Sequence, residues 1–336
     1  MTECSTSTNN FLNMLTKQSL YGAPLAGVTT PSFRNIVRLF FDGLIYTEMI
    51  SVEGLRRNGP ATMIFLKTNE NDSPLGVQLF GSKPDGYTES IPVVLGKLTP
   101  AVIDINMGCP VKKVLKSGSG CAMMKDEQNI ARVINAAKRA AGDIPVTIKI
   151  RLGWDMDSMN YNEIIKIAHE EGASAVTLHG RTKADHFSGT VRYEYIADAV
   201  SRAKLPIIGN GDVIDMETYD NMLKTGVNGV MIGRGMMKKP WIFEALLNET
   251  DPDTYLQADR LKELVYKIMD LEMANARGSR YLDVSKKYIV WMMKGLPGAA
   301  SLRSQIYACQ DRAELDDMIE DFFNSIKDIQ TDQSSE

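Results

Sequence analysis

The sequence predicts a parallel (β/α)8 TIM barrel followed by a small C-terminal all-helical domain. Three observations point there. Short apolar runs of β character alternate with segments of helical periodicity between about residues 21 and 247. The β signal stops after that point. Glycines and polar residues gather where the apolar runs end. Alternation of this kind implies parallel strands joined by crossover helices, and eight such units in about 230 residues fit a closed barrel.

The expected strands are 21–23, 44–46, 75–79, 102–106, 146–150, 175–179, 206–209 and 229–232. Between them, segments such as 127–140, 161–170 and 216–225 carry apolar residues at helical spacing. An open doubly wound sheet would want a GxGxxG turn after the first strand. The chain has Ala23-Pro24-Leu25-Ala26-Gly27 there, so the barrel is preferred. The expected division is a polar leader at 1–18, the barrel at 19–248, a helical domain at 253–329 and a frayed tail at 330–336. Segment 248–254, with Pro252, reads as a linker. Helices are expected at 258–275, 284–294 and 314–327, broken by Gly295-Leu296-Pro297-Gly298.

Composition narrows the function classes. Of 336 residues, 44% are hydrophobic, yet no apolar run approaches the ~20 residues that cross a bilayer, and no membrane role is expected. The first ten residues lack the pattern of a secretory signal. The four cysteines, at 4, 109, 121 and 309, form no CxxC pair and only three histidines accompany them, so no metal is expected. Sparse unpaired cysteines suit a reducing cytoplasm, the expected location. The net charge of −4 argues mildly against a polyanion partner. It hides a basic stretch at 277–303, where Arg277, Arg280, Lys286, Lys287, Lys294 and Arg303 face only Asp283.

In a barrel of this kind the chemistry lies at the C-terminal ends of the strands. Lys149 and Arg151 share one face of their strand, and His179 and Arg181 stand at the same parity on the next. Cations on such a face need a negative or strongly accepting partner: a salt bridge, or an anionic cofactor or substrate. The turns Asn210-Gly211-Asp212 and Gly233-Arg234-Gly235 follow the seventh and eighth strands and precede helices, the usual place for a phosphate site. Cys109 follows Asn106 in a Gly-Cys-Pro turn. An ordinary thiol there is mostly neutral at pH 7 and can donate a proton; with His179 as base it could equally be a nucleophile. Cys121 and Cys309 read as buried fillers.

Taken together, several strings resemble the tRNA-dihydrouridine synthase family, and most of all its bacterial B-type branch. They are Ala23-Pro24-Leu25-Ala26-Gly27-Val28-Thr29, Tyr46-Thr47-Glu48-Met49, Val77-Gln78-Leu79-Phe80-Gly81 and Asn106-Met107-Gly108-Cys109-Pro110. Further along come Lys149-Ile150-Arg151-Leu152-Gly153-Trp154, Leu178-His179-Gly180-Arg181-Thr182, Asn210-Gly211-Asp212, Gly233-Arg234-Gly235 and Lys294-Gly295-Leu296-Pro297-Gly298-Ala299. The resemblance implies FMN as cofactor, NADPH as reductant and uridines of tRNA as substrate. It implies hydride delivery to C6 of the uracil and proton delivery to C5 from Cys109. By matching position, Pro24, Leu25, Ala26, Gln78, Lys149, His179, Asn210, Gly211, Asp212, Gly233 and Arg234 would hold the flavin. Asn106, Arg151 and Arg181 would face the uracil, and Lys287 and Lys294 the rest of the RNA. The chain departs from the family's usual residues at Thr30, Ala122-Met123-Met124, Phe187 and Tyr193.

Two other readings compete. One is an FMN barrel reductase of a small pyrimidine or other small molecule, which needs no basic helical domain. The other is a non-catalytic flavin- and RNA-binding protein. The protein is expected to be a monomer.

Overall fold

The computed structural model describes residues 19–275 and 280–333, so the leader at 1–18 with Cys4, Arg277 and the last three residues lie outside the described residues. Eight parallel strands close into a barrel: β1 (Ser19–Gly22), β2 (Ile45–Tyr46), β3 (Leu75–Phe80), β4 (Val102–Asn106), β5 (Val146–Arg151), β6 (Ala175–His179), β7 (Ile207–Asn210) and β8 (Gly229–Ile232). Each pairs with the next in sequence. Closure comes from β1 and β8, where Ser19 pairs with Gly229 and Gly22 with Ile232. An extra two-residue strand, Ile50–Ser51, pairs with the end of β3; it was not foreseen, because two residues carry no periodicity.

Side chains alternate between the barrel interior and the surrounding helices. One interior layer is apolar apart from its phenols and joins Tyr21, Ala23, Leu44, Tyr46, Val102, Ala175, Ile208 and Met231, all buried. The same parities that place Val102 and Ala175 inside carry Asp104 and Asn106, Thr177 and His179 inward further along β4 and β6. The interior therefore becomes polar toward the C-terminal ends. Helices such as Glu127–Ala141 and Met216–Leu223 flank the strands, each started by an aspartate cap: Asp126 accepts from the Asn129 amide and Asp215 from the Thr218 amide.

The chain divides into two compact units, and the division differs from the expected break at 248–253. Residues 19–31 and Asp42–Gly233 form the barrel unit; Ser32–Phe41 joins Arg234 onward in the second. Aromatic packing explains the exchange. In the second unit Phe33 stacks on Tyr288 with ring centroids 5.1 Å apart, and Phe41 on Phe243 at 4.1 Å. Its longer helices are Ala258–Asn275, Arg280–Met292, Ala299–Ala308 and Arg312–Gln333. The last extends into the segment expected to fray. The predicted linker is anchored too, since the Trp241 indole donates to the Pro252 carbonyl at 2.8 Å and Lys239 pairs with Asp253 at 2.6 Å.

Among the described residues, no helix is long and apolar enough to cross a membrane.

Candidate active site

The C-terminal end of the barrel gathers the site. After β1 the chain turns tightly: the Val28 and Thr29 amides both donate to the Leu25 carbonyl at 3.0 Å, and the Thr29 hydroxyl accepts from the Leu25 amide at 3.1 Å. Gly27 takes a left-handed φ of 70° and its amide donates to the Glu48 carboxylate. Pro24 and Leu25 are half-buried and Ala26 is exposed, so this turn offers backbone and small side chains at the mouth.

β3, β4 and β5 supply a continuous polar chain inside the barrel. The Thr147 hydroxyl and the Gln78 amide nitrogen each donate to Asp104 at 2.7 Å. The Asn106 amide nitrogen donates to Gln78 Oε1 at 2.8 Å. Asn106 Oδ1 then accepts from the backbone amides of Cys109 at 3.0 Å and Gly108 at 3.3 Å. Sequence reasoning missed Asp104 as a member of this set. Its signal was present, since Asp104 has the same strand parity as Asn106.

Cys109 sits half-buried on the turn that follows. Its carbonyl accepts from the Cys121 amide at 3.1 Å. Burial pushes its thiol pKa up, against the Val111 amide and the charges of Arg151 and Lys149. The thiol therefore keeps its proton at neutral pH, which fits a donor better than a nucleophile. Cys121 is buried and pushed up to about 12 by desolvation, and Cys309 is buried in the second unit, as expected of fillers.

Lys149 and Asn210 meet across the barrel, with Nζ donating to Asn210 Oδ1 at 2.7 Å. Asn210 in turn donates to the Met231 carbonyl at 2.8 Å, tying β7 to β8. Burial, then the neighbouring Arg151 charge, lowers the Lys149 pKa to about 8, with Asp104 opposing. Its direct partner is thus a neutral amide. Gly211 has a φ of 134°, and a Cβ there would stand 2.5 Å from Val191 Cγ2 and 3.1 Å from His179 Cδ2. This close approach requires glycine.

The two arginines hold the loops that follow the strands. Arg151 donates from Nε to the Gly108 carbonyl and from a terminal nitrogen to the Thr182 carbonyl, both at 2.8 Å. Arg181 donates to the carbonyls of Ser188, at 2.9 Å, and Gly189, and pairs with Asp212. Each is at most 2% exposed. Both brace backbone, the role a buried guanidinium fills well. Arg181 also approaches His179 Nε2 at 3.3 Å. An arginine can only donate, so the pair is a hydrogen bond in the tautomer whose Nε2 carries no proton.

The phosphate expectation changes in part as well. The helix after β7 begins only at Met216, where Asp215 and Thr218 close a capping box on each other. Its N-terminus already faces a carboxylate. Only the helix Arg234–Lys238 starts directly beyond its strand-end glycine, Gly233. In the second unit Lys294 is exposed just past the helix Arg280–Met292 rather than inside it. Lys287 is half-buried, with Nζ 4.9 Å from the Tyr288 ring. Lys286 leaves the basic surface entirely, buried with its ammonium on the Cys309 carbonyl.

The sequence profile described as dihydrouridine synthase (Dus) matches residues 21–327. The chain belongs to the dihydrouridine synthase family. Among relatives, tRNA-dihydrouridine synthase B of Pseudomonas aeruginosa is 34% identical over 296 residues, covering 86% of this chain and 88% of its own. A probable tRNA-dihydrouridine synthase of Rickettsia conorii is 31% identical over 315 residues, covering 90% and 93%. Among solved structures, 6-hydroxypseudooxynicotine amine oxidase from Pseudomonas geniculata N1 aligns with a TM-score of 0.50 at 10% identity, over 75% of this chain and 50% of its own, a likeness of fold.

Within this dihydrouridine synthase family barrel, Asp104 makes a measurable pH signature. Burial raises its pKa to about 6, against the bonds from Gln78 and Thr147 and the Lys149 charge. A raised folded-state pKa contributes stability that is fully present below the unfolded value and lost as pH rises through the folded one. Wild type should therefore gain about 1 kcal/mol over Asp104→Asn between pH 7 and pH 5. Urea midpoints of the two proteins across that window check it; a constant difference contradicts it.

Proposed function

We propose that the protein reduces specific uridines of tRNA to 5,6-dihydrouridine, using FMN and NADPH. Family membership supports the reaction class, and the relatives above are named for it. The observation that carries the chemistry is the geometry of Cys109, a thiol kept protonated on a turn braced by Asn106, Arg151 and Cys121.

The residues present suit a flavin. Lys149 places an ammonium, directly bonded only to a neutral amide, in the polar layer of the barrel, where it can meet the electron-rich pyrimidine edge of the ring. His179 stands on the adjacent strand, in register between Arg151 and Asn210. The turn Pro24-Leu25-Ala26 would lie against the ring, and Gln78, bonded at both ends of its amide, retains one N–H for it. The backbone at Asn210, Gly211 and Asp212, and at Gly233 and Arg234, would take the ribityl phosphate. When bound, reduced FMN supplies the hydride for C6 of the uracil, with NADPH as its source of electrons. Cys109 donates its proton to C5 from the other side, so two hydrogens are added in all. A base in folded tRNA must be extruded to reach a barrel mouth, and phosphate contacts elsewhere would orient the RNA.

The test is mass spectrometry of unmodified tRNA after incubation with the protein, FMN and NADPH. A gain of two hydrogens mapped to defined uridines is expected. Reduction of free uridine or orotate but not of tRNA would overturn the reading.

Two further outcomes follow. Gly120 has a φ of 61°, and a Cβ there would stand 2.6 Å from the Cys109 carbonyl oxygen and 3.1 Å from the Cys109 Cβ. The carbonyl cannot yield without moving the turn, so Gly120→Ala should lower the single-turnover rate by roughly 100-fold in a folded protein. An unchanged rate would show that the turn tolerates displacement. In the second unit, reversing Lys287 and Lys294 to Glu should weaken tRNA binding and flatten its salt dependence. Binding isotherms at several salt concentrations measure both.

A further inference from the structure

The buried carboxylate of Asp104 has no part in the reaction proposed above, yet it anchors one end of the polar chain that reaches Cys109. Its oxygens accept from Thr147 and from the Gln78 amide nitrogen, both at 2.7 Å. Gln78 Oε1 accepts from Asn106 at 2.8 Å, and Asn106 Oδ1 accepts from the Cys109 and Gly108 amides. A carboxamide can present either end to a neighbour, and sterics barely distinguish the two. Here the termini decide. An ionised carboxylate can only accept and a backbone amide can only donate. Both carboxamides therefore have one orientation that satisfies every member, and hydrogen bonds in such a series reinforce one another.

We infer that Asp104 is a positioning residue for Cys109: its carboxylate locks Gln78 and Asn106 in the orientation that turns Asn106 Oδ1 toward the Gly108 and Cys109 amides, and so holds the Gly-Cys-Pro turn. Without an acceptor at the Asp104 end, Gln78 is free to flip. A flipped Gln78 presents its amide nitrogen to Asn106, Asn106 turns to accept, and two donors then face each other at the Cys109 amide. The catalytic meaning of this lock rests on the reading of Cys109 as proton donor. The lock itself does not.

The test compares Asp104→Leu, Asp104→Asn, Thr147→Val and Gln78→Met in the full chain. Asparagine keeps an acceptor for Gln78, and the Thr147 hydroxyl can turn to accept its N–H. Thr147→Val removes a bond to the same carboxylate without touching the chain to Cys109. Gln78→Met cuts that chain while leaving Asp104 on Thr147, and it decides the matter should Asp104→Leu not fold. The readout is the alkylation rate of Cys109 by iodoacetamide, followed by peptide mass spectrometry, which requires neither flavin nor RNA. Buried Cys121 reports on opening of the core.

Asp104→Leu and Gln78→Met should raise the Cys109 rate about tenfold, the equivalent of one net hydrogen bond, with Cys121 unreactive. Asp104→Asn and Thr147→Val should stay within about twofold of wild type. Wild-type Cys109 rates in both severed variants would overturn the inference. So would a joint rise of Cys109 and Cys121, which would mean general loosening. With tRNA, Asp104→Leu should lower kcat and leave KM unchanged. If the wild-type protein makes no dihydrouridine, the proposed function fails while the alkylation comparison still judges the lock.

Discussion

Cys109→Ala is expected to lower the rate of dihydrouridine formation about 10³-fold while leaving flavin bound, the middle of the range for loss of a positioned general acid. The binding groups proposed for the flavin lie on other strands, so its absorbance should be unaffected. The uracil carbanion equivalent would have to take its proton from water, which the buried turn does not position. Single-turnover reduction of tRNA by the pre-reduced protein measures this directly. A Cys109→Ala protein that retained flavin and reacted at the wild-type rate would refute the donor role. Cys121→Ala and Cys309→Ala serve as comparisons, because those thiols are buried away from solvent and the mechanism asks nothing of them.

Arg181→Met should destabilise the barrel unit by about 3 kcal/mol, visible as a lower urea midpoint. The Arg181 side chain is 2% exposed and holds the carbonyls of Ser188 and Gly189 together with the Asp212 carboxylate. Methionine fills the space but leaves three acceptors without that donor, and one of them is charged. Asp212 is 32% exposed on its side chain, so water recovers part of the loss, which keeps the figure at the low end of the range for a broken buried pair. Adding Asp212→Asn should restore part of the stability, since the charge that Arg181 balanced disappears. A double variant no better than the single would assign the whole loss to the loop carbonyls.

Much of the barrel was legible in the sequence because parallel strands buried on both faces leave plain apolar runs. The run Val102-Ile-Asp-Ile-Asn106 is an instance, and it forms a strand with the expected bounds. The ends of β1 and β7 were displaced by a residue or two, since pairing with a neighbour, not local propensity, decides where a strand stops. Parity reasoning brought Lys149, Arg151, His179 and Arg181 to one end of the barrel. It could not say that the arginines would spend their donors on loop carbonyls, because those carbonyls belong to turns whose path is not periodic. The same reasoning applied to β4 would have found Asp104. Gly120 was beyond reach, as its constraint is a left-handed turn pressed against Cys109, visible only in three dimensions. The capping box Asp215-Met216-Glu217-Thr218 was readable as a helix start and would have removed that helix from the phosphate expectation.

The exchange of Ser32–Phe41 into the second unit also sets a timetable for synthesis. Phe33 and Phe41 leave the ribosome ahead of their stacking partners Tyr288 and Phe243, which follow roughly 200–250 residues later. At about 5–20 residues per second, two aromatic rings wait on the order of 10–50 s for cover. Barrel closure waits almost as long, because β1 needs β8. The nascent chain therefore carries this aromatic segment without its stacking partners over that whole interval. A chain ending at Gly233 would lack both stacking partners.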